Sequence, residues 1–281
     1  MEQYGYYSIK KNSNFMILDH SSKKLAIITG GCGLLGWEFA KSLDQINFKV
    51  ILVDNSKKNI LSKKKINNKL KIDCEFIQSD ITDKLKMSFI LKRIKKKYKT
   101  IDVLINNACL DYVPKKSKKK EDENQFLNYS LNRLDKEINV GLKGAIICSQ
   151  LVGSYMLKSK NGVIINVGSD LSVIAPNQNL YKHLSTVKPV GYSIVKSGIH
   201  GLTKYLASLW GNRGIRVNTL SPGGVFNFQD KKFINKIKKI IPMNRMAKIN
   251  EYNETIKFLC TDSSSYMNGH NLIIDGGRTI I

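Results

Sequence analysis

From Lys24 onward, short runs of aliphatic and β-branched residues alternate with longer segments whose apolar positions recur at three- and four-residue spacing. Runs that are apolar at nearly every position suit strands buried on both faces, and the amphipathic segments suit helices covering those faces. The pattern predicts strands at Leu25–Thr29, Val50–Val53, Cys74–Gln78, Val103–Ile105, Val163–Val167, Arg216–Leu220 and Leu272–Ile274. It predicts helices beginning near Leu34, Thr82, Leu131, Tyr192 and Ile249. Strands separated by helices read as parallel βαβ units, so the expected fold is α/β, a doubly wound parallel sheet of about seven strands with helices on both faces. No repeat or long Pro/Gly/Ser linker breaks the pattern; the expected organisation is an extension over residues 1–23 and one domain over 24–281. Two segments are irregular, the Lys/Glu-rich 112–124 and the stretch 175–191. The second interrupts a strand-to-helix passage and is expected to be a substrate loop.

Charge enlarges the field of partners before chemistry narrows it. The 281 residues carry 46 Lys+Arg against 22 Asp+Glu, a formal net charge of +24, yet 42% are hydrophobic, which excludes a disordered chain. So basic a chain could meet a polyanion, but the Lys95–Lys97 and Lys118–Lys120 runs carry no interleaved aromatics to stack bases. Nucleic acid is therefore not the expected partner, and the lysines read as solvated surface. The five cysteines are scattered without metal-ligand spacing, so no metal site is expected and reduced thiols in the cytoplasm fit best. Met1–Ser22 lacks the apolar core of a signal peptide, and no stretch approaches the ~18–20 apolar residues of a span, so no membrane association is expected.

The first strand runs into Thr29-Gly30-Gly31-Cys32-Gly33-Leu34-Leu35-Gly36 and then a helical segment. Glycines at 30, 33 and 36 suit a tight turn, close approach of a pyrophosphate to backbone N–H groups, and close helix–strand packing, the Rossmann-type arrangement. The helix N-terminus adds unpaired donors and the positive end of its dipole. Asp54, closing the second strand, is placed to accept ribose hydroxyls and repel a 2′-phosphate, which favours NAD over NADP, although Lys57 and Lys58 could soften that exclusion. Asp80, followed by Ile81 after the third strand, suits the adenine or a helix cap, and the two roles are compatible.

Tyr192 and Lys196 stand one turn apart at the start of a helix, where a cation on the same face would stabilise phenolate and bring the phenol towards the range of general acid–base catalysis. Asn106-Asn107-Ala108, Ser169 and Ser221-Pro222-Gly223-Gly224 all follow strands, at the sheet edge where open α/β sheets bind ligands. With the terminal Tyr266-Met267-Asn268-Gly269 and Asp275-Gly276-Gly277, these pieces make the chain resemble the short-chain dehydrogenases/reductases from about Lys24 to its C-terminus.

The resemblance implies Tyr192 as general acid/base, Lys196 as the ribose holder that lowers the tyrosine pKa, and Ser169 as hydrogen-bond partner of the reacting oxygen. It implies a dinucleotide site built from Gly30, Gly33, Leu35, Gly36, Asp54, Asp80, Ile81, Asn107, Ala108, Tyr192, Lys196, Pro222, Gly223 and Val225. It further implies a homodimer or homotetramer joined through the long helices near Leu131–Leu157 and Tyr192–Trp210, where Gly153 and Ala207 would permit close approach.

Three departures stand out. The GxxGxxG spacing is more usual in the extended branch of that family, while length and the other motifs suit the single-domain branch. The family's fourth catalytic residue, an Asn that anchors a water in the proton relay, falls on Gly141, with Asn139 two residues earlier. A family Thr stands as Asn227. The interval from Ser169 to Tyr192 is lengthened by the insertion Leu180–Pro189. With Gly141 and Ser221–Asn227, this insertion looks like a bacterial subgroup tied to surface-polysaccharide and flagellin-glycan biosynthesis, thought to act on sugar derivatives. Lys182, His183 and Lys188 could pair with a phosphate or carboxylate of such a substrate, or be ordinary solvated side chains.

The leading expectation is an NAD-dependent oxidoreductase acting on a secondary alcohol or ketone, plausibly a sugar phosphate or nucleotide sugar. The alternatives are a catalytically silent dinucleotide-binding regulator with a polyanion-binding surface, and a lyase or epimerase that uses NAD transiently.

Overall fold

The computed structural model describes residues 23–111 and 122–281; residues 1–22 of the expected extension and 112–121 of the Lys-rich segment lie outside the described residues. Strands β1 (Lys24–Thr29), β2 (Phe48–Asp54), β3 (Cys74–Gln78), β4 (Val103–Asn106), β5 (Gly162–Val167), β6 (Ile215–Pro222) and β7 (Asn271–Ile274) follow one another with helices between most of them. They form one sheet in the order β3-β2-β1-β4-β5-β6-β7, every pairing parallel. The expected doubly wound α/β fold is the observed one. Alternation along β1 supplies both layers, because successive side chains leave opposite faces. Ala26 and Ile28 join one core, Leu25 and Ile27 the other.

On the first face, α1 (Leu34–Asp44) inserts Phe39, Ala40 and Leu43, and α8 (Asn253–Cys260) inserts Ile256 and Leu259. On the second, α3 (Lys84–Lys97) contributes Met87 and Leu91, α5 (Gly144–Ser159) contributes Val152 and Met156, and α6 (Val190–Trp210) contributes Leu206 and Ala207. Gly153 and Ala207, expected to ease helix approach between subunits, are used within the chain. A Cβ on Gly153 would strike the Trp210 ring, and the Ala207 carbonyl accepts from Asn268 Nδ2 at 3.0 Å.

Two helices were not legible from periodicity. Helix α2 (Lys57–Leu70) buries only Ile60 and starts because the Ser56 side chain accepts from the Asn59 amide. Its lysines cover aromatic rings: Lys63 Nζ lies 5.4 Å from the Trp37 ring centroid and Lys64 Nζ 5.8 Å from that of Phe76. Part of the net charge is therefore structural cover. Helix α7 (Lys231–Ile237) is short and capped by Asp230, which accepts from the Lys232 and Phe233 amides. Helix α3 begins at Lys84 rather than Thr82, capped by Asp83. Asp80 is thus not the cap; it accepts from the Thr82 amide at 2.9 Å and hydroxyl at 2.8 Å in a turn of its own.

Helix α4 (Leu131–Ile138) runs through a π-turn, Asn139–Lys143, into α5. This run of 29 residues is long and apolar enough to cross a membrane by length and composition, contrary to the reading that no stretch is, but half of its apolar window is buried. Gly141 lies in the π-turn, where a Cβ would collide with Val195 Cγ1 of α6. Gly141→Ala is expected to cost about 1–3 kcal/mol by overpacking, and Val195→Ala in the same chain to recover most of it. Urea denaturation of the three variants checks this; an unchanged midpoint for Gly141→Ala would contradict it.

Candidate active site

A cavity of about 740 Å³ opens along the C-terminal strand ends. It spans β1 and β4, the neighbours where strand order reverses, the place where ligands bind in open α/β sheets. The glycine turn forms one wall. Gly30 has φ +59°, a left-handed conformation that a side chain disfavours, and a Cβ there would also lie 2.9 Å from Ala108 Cα. Gly33 is the N-cap of α1 and provides no side-chain cap, so the first amides of the helix stay open to an anion. Gly30, Gly33 and Leu35 line the cavity; Gly36 does not and instead packs under the turn against the Gly30 carbonyl.

Asp54 is buried at the end of β2 and lines the same wall. Its Oδ2 accepts from the Cys32 amide at 3.0 Å and its Oδ1 from the Ser56 amide at 2.9 Å, which fixes the carboxylate and leaves lone pairs on both oxygens. Lys57 and Lys58 are exposed and are not among the lining residues. Asp80 and Ile81 complete this end. Asn107 and Ala108 border it too, but the Asn107 side chain is committed to the turn, its Nδ2 donating to the Thr29 carbonyl at 3.1 Å and the Gly30 carbonyl at 3.0 Å. Pro222, Gly223 and Val225 flank the opposite rim.

Between the two ends the structure brings Ser169, Tyr192 and Lys196 together. Lys196 is buried and donates to the Val167 carbonyl at 2.8 Å, so its ammonium is held by the end of β5. It lies 5.7 Å from the Tyr192 ring centroid, farther than Lys188 Nζ, which sits 3.9 Å away on the other element that meets the ring, the insertion. The expected lowering of the tyrosine pKa is not seen. Burial pushes the Tyr192 phenol well above the ordinary tyrosine value; the charge of Asp111 adds to this, an interaction with the Ser169 hydroxyl opposes it, and Cys109 and Asp170 push the same way as Asp111. In this arrangement the phenol is held neutral, the state of a proton donor.

The insertion is a pair of 3₁₀ turns, Gln178–Leu180 and Lys182–Leu184, whose Leu180 and Tyr181 pack on Ile237, Ile241 and Met246. Tyr181 meets Phe233 of α7 with ring centroids 5.4 Å apart. The basic residues singled out here have carboxylate partners or stand outside: Lys188 donates to Asp111 at 2.9 Å, His183 Nε2 meets Asp230 Oδ1 at 2.6 Å, and Lys182 is exposed away from the cavity wall. Asn139 is exposed as well and does not line the cavity, so it does not replace the Asn that Gly141 displaces.

Two lining residues escaped the sequence reading. Asp170, directly after Ser169, accepts from Arg278 Nη1 at 2.6 Å in an ion pair whose side chains are 4% and 7% exposed. Adjacency to Ser169 was a visible signal for Asp170. Nothing in the sequence pointed to Arg278, which follows β7 near the C-terminus.

A family model described as enoyl-(acyl carrier protein) reductase matches residues 33–279. The chain is 29% identical over 255 residues to the post-translational flagellin modification protein A of Campylobacter coli, covering 90% of this chain and 97% of that one. It is 31% identical to a 3-oxoacyl-(acyl-carrier-protein) reductase of Thermotoga maritima over 262 residues, 92% of this chain and 98% of the relative. It is also 31% identical to an NAD-dependent glycerol dehydrogenase of Listeria innocua over 264 residues, 92% and 94% of the two chains. Among solved structures, a short chain dehydrogenase from Leptospira borgpetersenii with bound NAD+ superposes with a TM-score of 0.77 at 29% identity, covering 99% of this chain and 100% of that one.

Proposed function

Since the chain belongs to the short-chain dehydrogenase/reductase family, an oxidoreductase family, we propose that it is an NAD-linked enzyme interconverting a secondary alcohol and a ketone on a polyhydroxylated, sugar-like substrate. The observation that carries this reading is the convergence of Ser169, Tyr192 and Lys196 on one cavity that also contains the glycine turn and Asp54. The residues fit a nicotinamide dinucleotide: uncapped amides of α1 for the phosphates, Asp54 for the adenosine ribose, and Lys196 for the second ribose. When bound, such a cofactor supplies or accepts the hydride. Tyr192 gives a proton to the substrate oxygen in reduction and takes one from the hydroxyl in oxidation. The expected water-relay Asn has no counterpart, because Gly141 leaves no room for a side chain and Asn139 points elsewhere.

Preference for NAD follows from Asp54, whose fixed carboxylate repels a 2′-phosphate while Lys57 and Lys58 stand off the wall. Asp54→Ala is expected to narrow the ratio of NADH to NADPH affinity by about tenfold, or 1.4 kcal/mol, in fluorescence titrations. An unchanged ratio would contradict the assignment.

For the substrate, the cations around the inner cavity are matched by carboxylates at Asp111, Asp170 and Asp230, which weakens the expectation of a phosphate or nucleotide sugar. Alternating donors and acceptors over an apolar floor of Tyr181, Phe233 and Met246 suit hydroxyl groups instead. The glycerol dehydrogenase among the relatives and the flagellin modification protein are in keeping with a polyol or sugar derivative. A panel of polyols and ketoses, assayed by cofactor absorbance, tests this. Turnover confined to acyl thioesters, the chemistry suggested by the acyl-carrier-protein relative, would replace it.

A further inference from the structure

Ser169 can be assigned its hydrogen-bond orientation by counting. A serine hydroxyl has one proton to donate and two lone pairs. Ser169 Oγ lies 2.9 Å from Asp170 Oδ1 and accepts from the Leu171 amide at 3.1 Å. Asp170 is itself ion-paired through Oδ2 with Arg278, a guanidinium that stays charged, and a carboxylate so paired has no proton to give. The Ser169 proton is therefore spent on Asp170 and one lone pair on Leu171. All three side chains are at least nine-tenths buried: Ser169 is 5% exposed, Asp170 3% and Arg278 7%. What remains for the cavity is a single acceptor.

We propose that the Asp170–Arg278 pair is a positioning device that turns Ser169 into a hydrogen-bond acceptor towards Tyr192 and the substrate, so that the site is built to receive a hydroxyl. This rests on the roles given above to Ser169 and Tyr192. The centre then offers one donor, the Tyr192 phenol, and one acceptor, Ser169 Oγ. A secondary alcohol satisfies both, accepting from one and donating to the other, whereas a ketone can only accept. The pair thus biases binding towards the alcohol. Asp170 acts through Ser169 rather than on the reacting atoms. The charged and titratable groups facing Tyr192 are Lys188 and Asp111, Cys109, Lys196 and Asp170, so charge alone must be separated from orientation.

The test needs no substrate. 3,5-Difluorotyrosine placed at position 192 in the full chain ionises at milder pH and gives its own ¹⁹F resonance, which is titrated in the presence of saturating NAD. Ser169→Ala is expected to leave this titration in place or lower it, because an acceptor favours the neutral phenol. A rise of about one pH unit would show that Ser169 donates and would overturn the proposal. Asp170→Asn frees the serine proton and is expected to lower the titration by about one pH unit or more, and adding Ser169→Ala to Asp170→Asn to reverse much of that shift. If Asp170→Asn moves Tyr192 equally with and without Ser169, charge alone acts and the proposal fails. Should Asp170→Asn not fold, Ser169→Ala by itself still decides. Absent turnover in the polyol panel would count against the proposed function without touching this result.

Discussion

Replacing Tyr192 by Phe is expected to lower turnover by roughly 10²–10⁴-fold while leaving cofactor affinity nearly unchanged. The ring stays in place between Lys188 and Lys196, whose ammonium groups lie 3.9 and 5.7 Å from its centroid, so the substitution removes the proton donor and little else. The loss should fall on kcat and on kcat/KM alike, the pattern of an interaction made in the transition state. Steady-state kinetics with any substrate found active, beside a cofactor titration, check both halves. Equal turnover by the Phe variant would remove Tyr192 from the chemistry.

Breaking the ion pair behind Ser169 is expected to have the largest effect on stability. Arg278→Met leaves Asp170 ionised in a buried site without its partner, and loss of one member of such a pair costs about 3–5 kcal/mol. Removing both charges together, as Asp170→Asn with Arg278→Met, is expected to restore most of that loss, since a buried pair exchanged for uncharged groups is often near neutral. Chemical denaturation of the two variants measures the difference. Equal stability of Arg278→Met and the unchanged chain would mean that the pair is not formed in solution.

The contrast between what the chain discloses and what it conceals has a physical origin. β1, β2 and β5 are legible because strands buried on both faces are apolar throughout, as in Ile27-Ile28 or Ile164-Ile165. Helix α2 is concealed for the opposite reason: it buries Ile60 alone, and its lysines lie over Trp37 and Phe76 in a manner that leaves no periodic signature. The glycine turn, Asp54, Ser169, Tyr192 and Lys196 carry their own local pattern, and the structure gathers them on one cavity. The direction of the Tyr192 shift was not legible, because it depends on burial and on Asp111, not on the helical spacing to Lys196. Arg278 was invisible because its partner lies 108 residues earlier in the chain, and only the fold brings β7 beside the end of β5. Gly141 announced a missing relay residue, and the structure added the reason, the Val195 side chain that fills the space.

The most direct test is isotopic. The full chain is incubated with NAD and polyols deuterated at the carbinol carbon, and the reduced cofactor is analysed by mass spectrometry. Hydride transfer at the Ser169–Tyr192–Lys196 centre predicts a reduced cofactor one mass unit heavier with at least one polyol, and none with Tyr192→Phe. Bound NAD with no reduced cofactor from any polyol, and no oxidation of NADH by the matching ketoses, would contradict it.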